Sequence, residues 1–226
     1  DIALLSNGFS GADINNLINE SLILSIREDK DFVDNTLLLK AFEKNVIGLP
    51  KDDDIREESV RELVAYHEAG HAIMIEHFDK YFDLVLVTIN NNINGSGGYT
   101  LFTTKKEYIE MPTKEYFEAL IMVSLGGRIA ESLFLKEGRN VSIGSVQDLQ
   151  QANDIAYDMV TMYGFGYRCG ITNGGESPYT KQLVDLDVNV ILDECKKEAT
   201  KILVSKDFDI AKDVLKHNTV YFTDTF

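Results

Sequence analysis

The chain has 226 residues, enough for one sizeable domain or for one domain plus an appendage. Its 37 acidic residues against 22 basic ones leave a net charge of −15, a field that repels phosphate backbones and argues against nucleic acid as a partner. No apolar run reaches the roughly 18 residues that a membrane-spanning helix needs, and the opening residues lack the basic start and apolar stretch of a secretory signal, so the chain by itself reads as soluble.

The opening Asp1 in place of Met suggests a fragment of something longer. Ser10-Gly-Ala-Asp13 has the form of a capping box and starts a helix, along which Ile14, Leu17, Ile18, Leu22 and Ile26 recur on one face. Leu38, Ala41, Phe42 and Val46 mark a second amphipathic segment. Two short helices bury too little apolar surface to stand alone, so residues 1–50 read as part of a neighbouring domain. Residues 51–58 are polar and acidic, and read as a solvated linker. The remainder, 59–226, then forms the main domain.

Within it Val60, Leu63, Val64, His67, His71, Met74, Ile75 and Phe78 share one helical face. Leu84 to Ile89 is β-branched and short, and Tyr99 to Thr103 follows a loop at 90–98, so a hairpin is expected. The later pattern is helical over roughly 113–136, 145–164, 180–204 and 207–216. The fold class is mainly α with a small β-sheet. The last residues, from Tyr221 to Phe226, fit no pattern. The two cysteines, Cys169 and Cys195, have no Cys-x-x-Cys spacing, which argues against a cysteine metal cluster or a disulfide framework.

The chemistry is concentrated in His67-Glu-Ala-Gly-His71. Two histidines four apart lie one above the other on a helix, so both imidazoles can reach one Zn²⁺. Glu68 sits about 100° around the helix from His67, where it can serve a metal-activated water as general base without being a ligand. Gly70 costs about 1 kcal/mol in a helix interior, which is easier to rationalise beside a site needing close approach.

Spacing leaves the third ligand open. His77 lies about 9 Å along the axis from His71 and off its face, and reads as an end-of-helix histidine. Asp148 shares a helical face with Ala152, Ile155, Met159 and Met162, so its carboxylate points among apolar side chains. Ser145-Val-Gln-Asp148 is also a capping-box pattern, which would explain that acid without a metal. Glu131 is a rival candidate. Arg128 and Glu131 could form an i,i+3 pair, and Gly126-Gly127 reads as a site of close helix packing rather than a phosphate loop.

Several motifs, in order, resemble the C-terminal portion of FtsH-type AAA proteases, the ATP-dependent zinc metalloproteases. Gly8-Phe-Ser-Gly-Ala-Asp13 and Asn16-Leu-Ile-Asn-Glu20 resemble the end of an AAA helical lid. Ala65 to His71, Gly98-Tyr-Thr100, Leu125 to Glu131, Asp148-Leu-Gln150 and Met159 to Gly164 resemble successive peptidase motifs. The resemblance implies a metal site of His67, His71 and Asp148 with Glu68 as general base and one zinc per chain. It implies that the edge strand at Gly98, Tyr99 and Thr100 lines up substrate.

It further implies a homo-hexameric ring fed with unfolded polypeptide by an AAA ATPase module, in a parent protein anchored in a membrane. The chain departs from the family in having no Gly-x-x-x-x-Gly-Lys-[Ser/Thr] loop, so ATP enters only through a module absent from these residues. Gln147 stands where the family has asparagine before the aspartate ligand. The alternative is a non-catalytic ring-assembly module of the same fold.

Overall fold

The computed structural model describes residues 2–6, 8–46, 48, 54–91, 97–134, 142–170 and 177–222. After the short α1 (Ile2–Leu5), the Ser10 hydroxyl accepts from the Asp13 amide while the Asp13 carboxylate accepts from the Ser10 amide, and this expected capping box opens α2 (Gly11–Arg27). α3 (Asn35–Val46) packs back against it, burying Leu17, Ala41 and Phe42 together. The apolar stripe read from α2 is only partly interior. Leu17 is buried, but Ile14, Ile18 and Leu22 are exposed and Ile26 is 79% exposed. The face that α2 turns inward instead carries Ser21 and Ser25, whose hydroxyls donate to carbonyls of their own helix.

Residues 51–53 of the expected linker lie outside the described residues. The part that follows is mostly exposed but is anchored through Arg56. Arg56 donates to the carbonyls of Gly97 (2.6 Å) and Ile89 (2.5 Å) and pairs with Asp54, whose carboxyl it holds down at about 2 despite some burial. One guanidinium therefore ties the start of the domain to both strands of a pair at their connecting end.

The main domain is built on two long helices, α4 (Glu58–His77) and α6 (Lys114–Phe134). Both are buried around most of their circumference, α4 from Ala65 to Ile75 and α6 from Ala119 to Glu131. They meet backbone to backbone. A Cβ added at Gly126 would stand 2.6 Å from the Gly70 carbonyl oxygen, and one at Gly70 would strike the Gly126 carbonyl and Ala130. Small Ala65, Ala69 and Ala72 complete the close-fitting face of α4.

β1 (Phe82–Thr88) is the central strand of a three-stranded antiparallel sheet, between β2 (Tyr99–Thr104) and β3 (Thr219–Tyr221). A register shift between Leu84 and Leu86 interrupts its pairing with β2. Leu84 and Val87 join the main core, while Val85 and Leu86 pack on Leu39 of α3. The sheet is thus covered on both faces, which explains why β1 reads as a continuous apolar run. The 1–50 segment shares an apolar seam with the sheet.

Beyond α5 (Lys106–Glu110), a 3-10 turn (Ile143–Ser145) leads into α7 (Val146–Thr161). α8 (Pro178–Val204) starts at a Ser177 cap with proline in its first turn, and α9 (Asp209–His217) lies against α4. Asn218, in the left-handed region at φ 61°, ends α9 and turns the chain into β3. Three residues are too few to show strand periodicity, so β3 has no sequence signature. Its Leu86–Tyr221 to Thr88–Thr219 pairing gives the unread tail a place in the sheet; residues 223–226 lie outside the described residues. No helix among the described residues is long and apolar enough to cross a membrane.

Gly126→Ala gains about 1 kcal/mol of helix propensity but drives a methyl into backbone that no rotamer change can move. A net destabilisation of about 1–2 kcal/mol is expected in urea unfolding.

Candidate metal centre

α4 carries His67, Glu68 and His71 towards the point where α6 and α7 converge. His67 Nε2 and His71 Nε2 are 3.1 Å apart, and Asp148 Oδ2, from the first turn of α7, lies 3.2 Å from the first and 3.5 Å from the second. The capping-box explanation of Asp148 fails: Ser145 makes no side-chain cap bond and instead accepts from Arg128. Arg128 is thereby engaged with Ser145 rather than with Glu131. His77, the last residue of α4, is exposed and meets Phe78 edge-on, away from this group.

Each imidazole is held from behind. His67 donates through Nδ1 to Glu131 Oε1 at 2.8 Å, and His71 donates through Nδ1 to the Val123 carbonyl at 2.8 Å. Glu131, the rival ligand, is 1% exposed and sits on the far side of the His67 ring, where it also accepts from the Ser142 amide and hydroxyl. Burial would raise its pKa, but His67 and Ser142 hold it below the usual range.

With both Nδ1 atoms donating, both Nε2 lone pairs point at each other and at a carboxylate oxygen. Such a donor set needs a cation between its members. Burial alone would lower the His67 pKa, but the bonds to Asp148 and Glu131 and the charge of Glu68 push it up to about 10. Asp148 is driven well below the carboxylate range, its desolvation outweighed by the two histidines. The dimensions suit zinc: tetrahedral ligands at about 2.0–2.1 Å stand about 3.3 Å from one another. Two imidazoles and one carboxylate also leave the fourth position open, as catalytic sites do.

Gly127 gives these rings their space. A Cβ there would lie 2.5 Å from His71 Nε2 and 2.6 Å from His67 Cε1. Glu68, 6% exposed, faces the same cleft, and the Thr100 hydroxyl donates to both its Oε2 (2.8 Å) and its backbone carbonyl (3.1 Å). Burial raises the Glu68 pKa, partly countered by the positive charge of His71 and His67. Gly98 lets β2 pass close by, since a Cβ would stand 3.1 Å from Glu68 Cγ and 2.7 Å from the Thr88 carbonyl. Gly98, Tyr99 and Thr100 line a cleft of about 250 Å³ together with His67, Glu68, His71, Gln147 and Asp148.

The chain matches the model of peptidase family M41 over residues 54–224 and that of the AAA+ lid domain over residues 1–40. The chain belongs to peptidase family M41. It is 32% identical over 221 residues to the ATP-dependent zinc metalloprotease FTSH, chloroplastic, of Medicago sativa, covering 89% of this chain and 31% of that protein. An ATP-dependent zinc metalloprotease FtsH of Veillonella parvula is 32% identical over 242 residues, with 97% and 36% covered. That of Sulfurovum is 37% identical over 163 residues, with 72% and 24% covered. The chain spans about a third of the length of the first two of these.

The M41 match begins at residue 54, where Asp54 and Arg56 start to anchor the chain. The roles of the Val123 carbonyl, Ser142, the Thr100 hydroxyl and Arg56 have no local sequence signal. For Glu131 a signal existed: an acid on a helix whose neighbours Ile129 and Ala130 are apolar must find a buried partner.

Glu131→Gln keeps the shape behind His67 but removes its anionic acceptor. Zinc affinity, titrated against a chromophoric chelator, should fall by about 10- to 100-fold.

Proposed function

We propose that the chain is a zinc-dependent endopeptidase, with His67, His71 and Asp148 as the metal ligands and Glu68 as the general base. The observation that carries this reading is the triangle of two imidazole lone pairs and one carboxylate oxygen, with edges of 3.1–3.5 Å, beside a buried carboxylate that is not part of it. Zinc held there would acidify a water towards a pKa of about 7 and polarise a substrate carbonyl.

The chain's own groups supply the rest. Glu68 accepts the proton of the attacking water and later delivers it to the leaving amine. Thr100 holds one Glu68 oxygen, leaving the other for that transfer. Glu131 and the Val123 carbonyl keep both imidazoles in the tautomer that directs Nε2 at the metal. β2 is the outer strand of the sheet on the side of the cleft, and its edge is suited to pairing with an extended polypeptide. Gly98, Tyr99 and Thr100 would contact that substrate. Main-chain pairing accepts many sequences, which fits unfolded polypeptide as the substrate class.

The AAA+ lid match at residues 1–40 supports membership of a larger ATP-dependent protease, with ATP hydrolysed by a module outside these residues. A homo-hexameric ring and a membrane anchor in the parent protein rest on the family resemblance. The domain division follows the same reading: lid helices over 1–50, a linker at 51–58 and the peptidase from 59. A ring-assembly module without catalysis would need neither the oriented imidazoles nor the buried Glu68.

Metal analysis should find one zinc per chain, and a chelator should stop casein digestion. Glu68→Gln should retain the zinc and lose about 10²- to 10⁴-fold in hydrolysis. Undiminished cleavage by that variant would end the assignment of the general base.

A further inference from the structure

Tyr99 is the residue at which the lid touches the catalytic cleft. The residue lines the cleft beside Glu68 and also a second cavity of about 340 Å³ at the seam between α2, α3 and the sheet. Side chains alternate along a strand, so while Thr100 faces Glu68 the Tyr99 ring faces α3. Its hydroxyl donates at 2.8 Å to Glu43 Oε1, on α3 of the lid. The next residue, Thr100, is the hydrogen-bond partner of Glu68. A lid carboxylate is therefore separated from the proposed general base by two side-chain hydrogen bonds and one peptide unit.

The bond is well protected. Burial pushes the Glu43 carboxyl up from its ordinary value, and Tyr99 is likewise raised by burial and by the nearby Glu43 charge. Apolar packing reinforces it: Tyr99 and Leu101 of β2 lie against the cluster formed by Leu39, Val85 and Leu86. Of the lysines beside it, Lys40 pairs with Glu28 and Lys44 with Glu20, while Glu43 accepts from the tyrosine.

We propose that Glu43 is a positioning residue for peptide binding: by fixing the Tyr99 ring it sets the edge of β2 against which substrate is laid, so that lid placement controls the peptidase cleft. The inference rests on the substrate-strand role given to β2 above. Glu43 does not touch substrate; it acts through Tyr99.

The test uses the full chain in a Glu68→Gln background, which cannot consume its ligand. Binding of a dye-labelled extended casein peptide is followed by fluorescence anisotropy. Glu43→Ala should weaken binding by about three- to tenfold, the range one hydrogen bond is worth, and Tyr99→Phe should match it. Glu43→Gln keeps an acceptor oxygen and should stay within about twofold of the parent. The Glu43→Ala/Tyr99→Phe double variant should be no worse than either single, because both remove the same bond. With Glu68 intact, KM should rise in the same order while kcat changes less. Unchanged binding in Glu43→Ala, failure of Gln to rescue, or additive losses in the double variant would each overturn the proposal. If the binding pattern holds but the parent chain shows no zinc-dependent cleavage, the peptidase reading falls and the positioning role stands.

Discussion

The contact on which the rest of the site depends is the backbone approach of α4 and α6 at Gly70 and Gly126. Without side chains there, the two helices come close enough for the His71 ring to reach the Val123 carbonyl and for His67 to reach Glu131. Gly127, one residue on, leaves room for both rings. Two glycines in a row in a helix interior cost on the order of 2 kcal/mol in propensity. They are retained where a methyl group would collide with a carbonyl or an imidazole.

Around that contact the charges are arranged to need a cation. Five acids or imidazoles crowd one volume: the His67 and His71 rings, Glu131 behind His67, Asp148 in front of both, and Glu68 alongside. In a chain already carrying −15, gathering three carboxylates with no lysine or arginine paired to them among the described residues would be costly. The two histidines supply part of the compensation, and a divalent ion would supply the rest. The same logic explains the hierarchy of the acids. Those set directly against an imidazole, Asp148 and Glu131, are driven down, while Glu68, which accepts from the neutral Thr100 hydroxyl, is driven up by burial. The proposed base and the proposed ligand are thus set apart by what faces each carboxylate.

The N-terminal helices are joined to the main domain through the sheet rather than merely tethered to it. β1 gives one face to each, and its register shift puts the adjacent Val85 and Leu86 into the lid-facing cluster. Arg56 fastens the entry to α4 onto the ends of the β1–β2 pair, and Tyr99 reaches across to α3. Elsewhere a buried carboxylate performs a comparable structural task. Asp187, fully buried on α8, accepts from the amides of Arg168 and Cys169 and from the Arg168 guanidinium, holding the turn after α7 in place.

Local sequence determined the helices of the main domain, the zinc motif and the hairpin, because each depends on periodicity or on residues within one or two turns. His67, Glu68 and His71 share a helix, so their relation follows from 3.6 residues per turn. It also determined the Ser10–Asp13 cap. Local pattern leaves Asp148 and Glu131 as rivals, since both are acids on helices and the packing of α6 and α7 says which faces the Nε2 atoms and which the Nδ1 atom. Tertiary structure decided that Ser145 serves Arg128 instead of capping for Asp148, that most of the α2 stripe lies outside, and that residues 219–221 form a third strand. These are relations between groups tens of residues apart, and no local pattern encodes the distance between them.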